Sequence, residues 1–319
     1  MRLIDLHCDT IYRIYDCKAW QGLYQNDFHV DIQKMKDSRS AAQFFAIWIN
    51  WAEALKNNVP LWDDFKARHK MLMEQLEICR EDIALATSAA DLDKNLADNK
   101  ISAFLTIEEG GIFEGQIHRL HEAYEMGIRL ITLTWNYPNS LGFPNSLSEE
   151  DYPNQRLTEF GVEVVEEMNK KGMIIDVSHL SDQGFYQVHE ISKKPYIASH
   201  SNARALQNHG RNLTDDMLKV LGNDGGITGI NFCPGFLNSY PTLSVESLIR
   251  HIGHIIDKAG VDAVAMGTDF DGIDGKMEIE HIGQMDKLLH ALQKAGYSDD
   301  VIEKIWYKNA RRIIEEVIG

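Results

Sequence analysis

A histidine and an aspartate two residues apart, His7 and Asp9, close an apolar run at the start of the sequence, Leu3-Ile4-Asp5-Leu6-His7-Cys8-Asp9-Thr10. In a strand, side chains alternate, so His7 and Asp9 face one way and Cys8 the other. An imidazole and a carboxylate on one face of a rigid strand end can grip a divalent cation. The spacing alone equally suits a strand whose polar end meets solvent. Four later apolar runs end the same way. Residues 101–107 lead into Glu108-Glu109-Gly110-Gly111, and 173–177 into Ser178-His179. Residues 195–198 lead into Ser199-His200-Ser201, and 263–267 into Thr268-Asp269-Phe270-Asp271-Gly272. The strand-end set is therefore His7, Asp9, Glu109, His179, His200 and Asp269, with three imidazoles and three carboxylates. A single catalytic zinc takes fewer ligands, whereas two cations about 3.5–4 Å apart, bridged by one carboxylate, would use the whole set. A bridge must reach both ions. A long glutamate on a strand between the two groups, Glu109, is the natural choice.

Each residue has a plainer role open to it. His179 and His200 could be core histidines bonded to backbone. Glu109 could favour a helix N-terminus, and Asp269 could cap the helix that follows. Their shared position at strand ends is what argues for a metal centre. Competing motifs fail on chemistry. The stretch 269–280 hints at a calcium loop, but Ile273 stands where an oxygen ligand is needed and Asp274 where glycine is needed. The glycine-rich stretch 222–229 precedes a strand and so cannot cradle phosphate at a strand-to-helix turn. The remaining histidines, such as His118, His121, His251 and His290, lie in polar helical patterns and are expected in solvent.

The elements that must position this set follow from the periodicity. Apolar runs at 3–8, 41–49, 101–107, 128–134, 173–177, 195–198, 226–232 and 263–267 predict eight strands, with a short extra one at 83–87. Helical patterns separate them, including 61–80, 158–171, 282–295 and 299–318. Strands alternating with helices imply an α/β fold with a parallel sheet, and eight strands close a (β/α)8 TIM barrel. The polar residues sit at the C-terminal strand ends, the reaction face of such barrels. An open doubly wound sheet is the runner-up; five strands feeding one site favour the closed ring. The long polar loop 137–153 after the fourth strand is expected to wall the site.

The totals bound the rest. The chain has 319 residues, 44% hydrophobic and 25% charged, consistent with one globular domain spanning 1–319. A net charge of −16 argues against nucleic acid or anionic membrane as a partner. The four cysteines, Cys8, Cys17, Cys79 and Cys233, are scattered, which argues against a disulfide framework and for a reducing compartment. No leader pattern and no apolar run near ~18 residues is present, so a complete, cytoplasmic protein is expected. A homodimer is the assembly most often adopted by such proteins.

These motifs carry a resemblance. Asp5-Leu6-His7-Cys8-Asp9, Glu109-Gly110-Gly111, Asp176-Val177-Ser178-His179, Ser199-His200-Ser201, Arg211-Asn212, 267–272 and Asn309-Ala310-Arg311-Arg312 resemble, in order, the membrane (renal) dipeptidase family of the amidohydrolase superfamily in its soluble bacterial form. The resemblance implies a metallo-dependent-hydrolase barrel holding two divalent ions, zinc by family habit. It gives the first ion to His7 and Asp9, the second to His179 and His200, and the bridge to Glu109, with Glu108 facing away. It makes Asp269 the catalytic acid–base group and Arg211 the anchor for the substrate carboxylate. The chain departs from the mammalian pattern after Thr132-Leu133-Thr134, where Trp135 replaces a substrate-contacting histidine; Trp135 and Asn136 are expected at the substrate. No lipid-anchor tail is seen. The activity implied is zinc-dependent hydrolysis of dipeptides by a metal-bridging hydroxide. Two rivals stand beside it. One is another binuclear amidohydrolase acting on a cyclic amide, lactone or phosphoester. The other is a non-catalytic binding protein that kept its metals.

Overall fold

A computed structural model describes residues 1–16, 22–146, 152, 155–237 and 242–319. Cys17 and positions 147–151 and 153–154 of the long loop lie outside the described residues.

The strands are β1 (Leu3–Cys8), β2 (Ser40–Trp48), β3 (Ile83–Leu85), β4 (Ile101–Glu108), β5 (Ile128–Thr132), β6 (Ile174–Asp176), β7 (Ile197–Ala198), β8 (Ile227–Ile230), β9 (Thr242–Leu243), β10 (Val264–Met266) and β11 (Lys276–Met277). The sheet runs β2-β1-β10-β8-β7-β6-β5-β4, and β2 pairs again with β4, so eight parallel strands close a (β/α)8 barrel. The short β3 adds to the first half of β4, and β9 and β11 form a separate small ribbon. The eight barrel strands and the extra one fall where periodicity placed them. The open sheet is excluded by the β2–β4 pairing, which runs from Ala42↔Ser102 to Trp48↔Glu108.

The strands are buried on both faces, which is why they read as nearly continuous apolar runs. The barrel interior is filled by Ile4, Leu6, Phe44, Phe104, Leu130, Ile174, Ile197, Ile227 and Ala265. Phe44 and Phe104 stack there with ring centroids 4.7 Å apart. Ala310, Ile313, Ile314 and Val317 of the C-terminal helical segment pack against this inner cluster. Intervening residues of the strands, such as Leu105, Ile107, Ile131 and Met266, face the surrounding helices in a second, larger core.

Local chemistry sets the helix starts that follow the polar strand ends. Ser181 and Thr214 cap helices at Asp182–Ile191 and Asp215–Asn223, each accepting a backbone N–H from inside the first turn. Gly172 ends the helix Glu159–Lys171 in the left-handed region at φ 72°, leading directly to β6. Among the described residues, no helix is long and apolar enough to cross a membrane.

Candidate metal centre and substrate cavity

The inward set at the C-terminal strand ends is decided by pleat and register. On β1, Asp5 and Cys8 pair with Gln43 and Phe45, so three steps on β1 match two on β2. This bulge restarts the alternation. Leu6 thus fills the inner cluster while His7 also turns inward, and Cys8 joins the outer core. On β4 the alternation toward β2 is unbroken, so Glu108 continues the inner phase of Phe104.

Glu108 is accordingly the glutamate among the histidines. Its Oε2 lies 3.3 Å from His7 Nε2, and its Oε1 lies 3.2 Å from His179 Nε2 and 3.7 Å from His200 Nε2. This corrects the expectation drawn from the Glu-Gly-Gly motif. Glu109, one residue on, turns out of the barrel phase and accepts a hydrogen bond from the Asn139 carboxamide. Burial raises the Glu109 carboxyl to about 7. The remaining expected residues converge. His7 Nε2 is 3.4 Å from Asp9 Oδ2 and 3.9 Å from Asp269 Oδ1. His7, Glu108 and His200 form one group able to hold an ion, and His7, Asp9 and Asp269 another.

The hydrogen bonds around the histidines test whether metal fits. His179 Nδ1 bonds the Asn136 oxygen at 2.9 Å, which requires the proton on Nδ1. His200 Nδ1 bonds Ser199 Oγ at 2.7 Å, and that hydroxyl donates to Asp176 Oδ2 at 2.6 Å, so His200 also carries its proton on Nδ1. The two Nε2 lone pairs then face each other at 3.1 Å with no hydrogen between them. His7 adds ring nitrogens with no hydrogen-bond partner, and Asp9 Oδ1 is likewise buried and unpartnered. A divalent cation is what such converging acceptors fit.

The electrostatics agree. Burial, then the charge of Arg211, lowers His179 to about 4, and burial with His7 nearby holds His200 well below its ordinary value. Both are therefore neutral and available as ligands. Burial would lower His7, but the Glu108 and Asp9 carboxylates raise it well above normal. Burial would likewise raise Glu108, but His7 and His179 hold it low. Burial and the charge of Glu108 raise Asp9 to about 8, and burial raises Asp269 to about 6. Burial, with the Glu108 charge beside them, is what raises the Asp9 and Asp269 carboxyls.

Two aspartates that the strand-end reading did not single out hold the strand ends that carry these side chains. Asp176 accepts from Thr132 Oγ1 (2.7 Å), from the backbone N–H of Ser178 (2.9 Å) and from that of Ser199 (2.8 Å), fastening β5, β6 and β7 under His179 and His200. Asp5 accepts from the Thr268 N–H and hydroxyl, both at 2.8 Å, and from Gln43 at 2.9 Å, tying β1 to β2 and to the Asp269 turn. His179 and Asp269 themselves sit at φ 67° and 62°, in the left-handed region that non-glycine residues rarely take. At Gly272 an added Cβ would come within 2.2 Å of Asp9 Oδ2, so any larger residue there would displace the Asp9 carboxylate.

A cavity of about 800 Å³ opens above the centre. Its lining includes Asp9, Glu108, His179, Arg211 and Asp269, together with an aromatic side made by Tyr12, Trp48 and Trp135. Trp135 lies 5.1 Å from Trp48 and 6.2 Å from His179, ring centre to ring centre. Asn136 also lines the cavity, but its oxygen is engaged with His179. Arg211 is buried and held by Ser201 Oγ (3.3 Å) and the His200 carbonyl (3.2 Å), with its Nε unpartnered. His118, His121 and His290 are exposed as expected. His251 is not: it is buried, and its Nδ1 accepts the Ala203 N–H at 3.1 Å. Its helix, Val245–Ala259, turns that side toward the loop carrying Arg211, so a polar helical pattern concealed a core position.

The chain is similar to known proteins over its whole length. The sequence model of the membrane dipeptidase family, peptidase family M19, matches residues 1–318. An uncharacterized dipeptidase of Schizosaccharomyces pombe is 30% identical, over 98% of this chain and 79% of its own length. A protein of Klebsiella pneumoniae encoded in the pqqA 5′ region is 32% identical, over 77% of this chain and 96% of its own. Among solved structures, a dipeptidase of family M19 superposes with TM-score 0.91 at 26% identity, covering 100% of this chain and 99% of that one. A metallopeptidase of Rhodobacter sphaeroides, solved with a phosphinate mimic of the dipeptide L-Ala-D-Ala, superposes with TM-score 0.90 at 26% identity, covering 99% of each chain.

Proposed function

Because this chain belongs to the membrane dipeptidase family, it is a peptide-bond hydrolase, and we propose that it hydrolyses dipeptides with two zinc ions held by His7, Asp9, Glu108, His179 and His200. The observation that carries this reading is the convergence of imidazole nitrogens and the Glu108 carboxylate with no hydrogens to share. Imidazole and carboxylate donors suit zinc. Bound divalent ions supply Lewis acidity and ease loss of a proton from water.

The protein's own groups do the rest. Arg211, with an unused buried Nε–H, receives the substrate's C-terminal carboxylate. That anchor fixes the chain end next to the scissile bond and so favours dipeptides over longer chains. The Asp269 oxygen facing His7 takes a proton from the attacking water and returns it to the leaving amine. Trp135 and Trp48 exclude water on the opposite side and contact the substrate's apolar parts. The three described cysteines are unpaired, which supports a reducing, cytoplasmic setting for a single barrel domain.

The test is a comparison of dipeptides, tripeptides, cyclic amides, lactones and phosphoesters on metal-stripped and zinc-reconstituted protein. Zinc-dependent turnover of dipeptides above the others supports the proposal. Turnover of only the other classes, or none at full zinc occupancy, overturns it.

A further inference from the structure

The carboxamide of Asn231 does not line the cavity, yet it meets the proposed base. Its orientation is unambiguous. Asn231 Oδ1 accepts the backbone N–H of Cys233 at 2.7 Å, and a backbone N–H can only donate. The amide nitrogen therefore faces the other way. It donates to Asp269 Oδ2 at 2.8 Å and to the His200 carbonyl at 3.2 Å. Every hydrogen-bonding group of this fully buried side chain is engaged.

The backbone beneath it is equally fixed. Asn202 Oδ1 accepts the Asn231 N–H at 3.0 Å, and Asn202 Nδ2 donates to the Asn231 carbonyl at 2.9 Å. The Asn202 N–H in turn meets Asn212 Oδ1 at 3.3 Å, directly after Arg211 in the chain. The His200 carbonyl is shared, since it also accepts from Arg211.

We propose that Asn231 is a positioning residue for hydrolysis: it pins one oxygen of Asp269 so that the other faces the water. A carboxylate on a left-handed turn is not aimed by the strand pleat, and a terminal sp² torsion turns easily. One charge-assisted hydrogen bond to Oδ2 removes that freedom. The reading rests on Asp269 being the acid–base group.

The experiment uses full-length, zinc-loaded protein with Asn231→Asp, Asn231→Ala and Asp269→Asn, scored for dipeptide kcat and KM, bound zinc and Tm. Asn231→Asp keeps the size and the acceptor for Cys233 but loses the donor to Asp269. The expected result for both Asn231 variants is folded protein with full zinc, KM near that of the unaltered protein, and kcat lower by about 10–100-fold. Unchanged kcat in either folded, zinc-loaded variant overturns the proposal. So does a loss that appears in KM or zinc content alone, or failure of both variants to fold, since each assigns Asn231 a different role. Full activity of Asp269→Asn overturns the base assignment instead. An inert Asp269→Asn beside fully active Asn231 variants leaves the base standing and removes only the positioning role.

Discussion

Glu108 and His179 meet at 3.2 Å, carboxylate oxygen to Nε2, while Glu109 turns away to Asn139. Two adjacent glutamates therefore have separable roles. Glu108→Gln should lose zinc and lower kcat/KM by at least about a hundredfold. Glu109→Gln should keep its metal content and most activity, because its neighbour is a neutral carboxamide. Zinc stoichiometry with steady-state kinetics distinguishes them, and the reverse ranking would restore the motif-based assignment.

Arg211 is held by a hydroxyl and a carbonyl, and among the described residues no carboxylate is bonded to it. An ionic partner from the substrate would be worth about 1.5–3 kcal/mol. Arg211→Ala should thus raise KM for dipeptides by about 10–100-fold and leave dipeptide amides little affected, whereas the unaltered protein should discriminate between them. A KM that does not move would remove the carboxylate anchor.

Asn136 fixes the tautomer and the ring plane of His179. Asn136→Ala should weaken zinc binding by about 10–100-fold, read by competition with a chelator, while turnover at saturating zinc stays close to that of the unaltered protein. Tight zinc binding by the variant, with a raised KM, would make Asn136 a substrate contact after all.

His251 offers a pH-dependent contribution away from the metal centre. Burial lowers it to about 4 in the folded protein, against an unfolded value near ~6.5. Its neutral Nδ1 accepts the Ala203 N–H, which a protonated ring cannot do. Between these values the unfolded chain binds the extra proton. The stability is therefore fully present above about pH 6.5 and is lost as pH falls toward about 4, to a total of about 3 kcal/mol. Tm measured from about pH 7 down to about pH 5 should fall less steeply for His251→Gln than for the unaltered protein. Parallel curves would show that His251 takes no part.

The barrel was legible because each strand, buried on both faces, is an apolar run ending in polar residues at one mouth. The convergence of His7, Asp9, His179 and His200 at one mouth was legible for the same reason. Glu108 was obscured because the Glu-Gly-Gly motif fits its neighbour Glu109; counting the pleat from the inward Phe104 would have picked it out. Asn231 was hidden because it follows an apolar run and is followed by Phe232, so it reads as part of the strand. Its partner Asp269 lies 38 residues away, a distance no local pattern reports. Asp5 and Asp176 showed their type but not their task, since hydrogen bonds between neighbouring strands depend on register.

The most direct measurement is anomalous diffraction from zinc-loaded crystals, recorded on both sides of the zinc absorption edge. Two peaks about 3.5–4 Å apart are expected, with the Glu108 carboxylate between them, His7 and Asp9 at one and His179 and His200 at the other. Peaks beside Glu109, or none among these five side chains at full zinc occupancy in solution, would contradict the account.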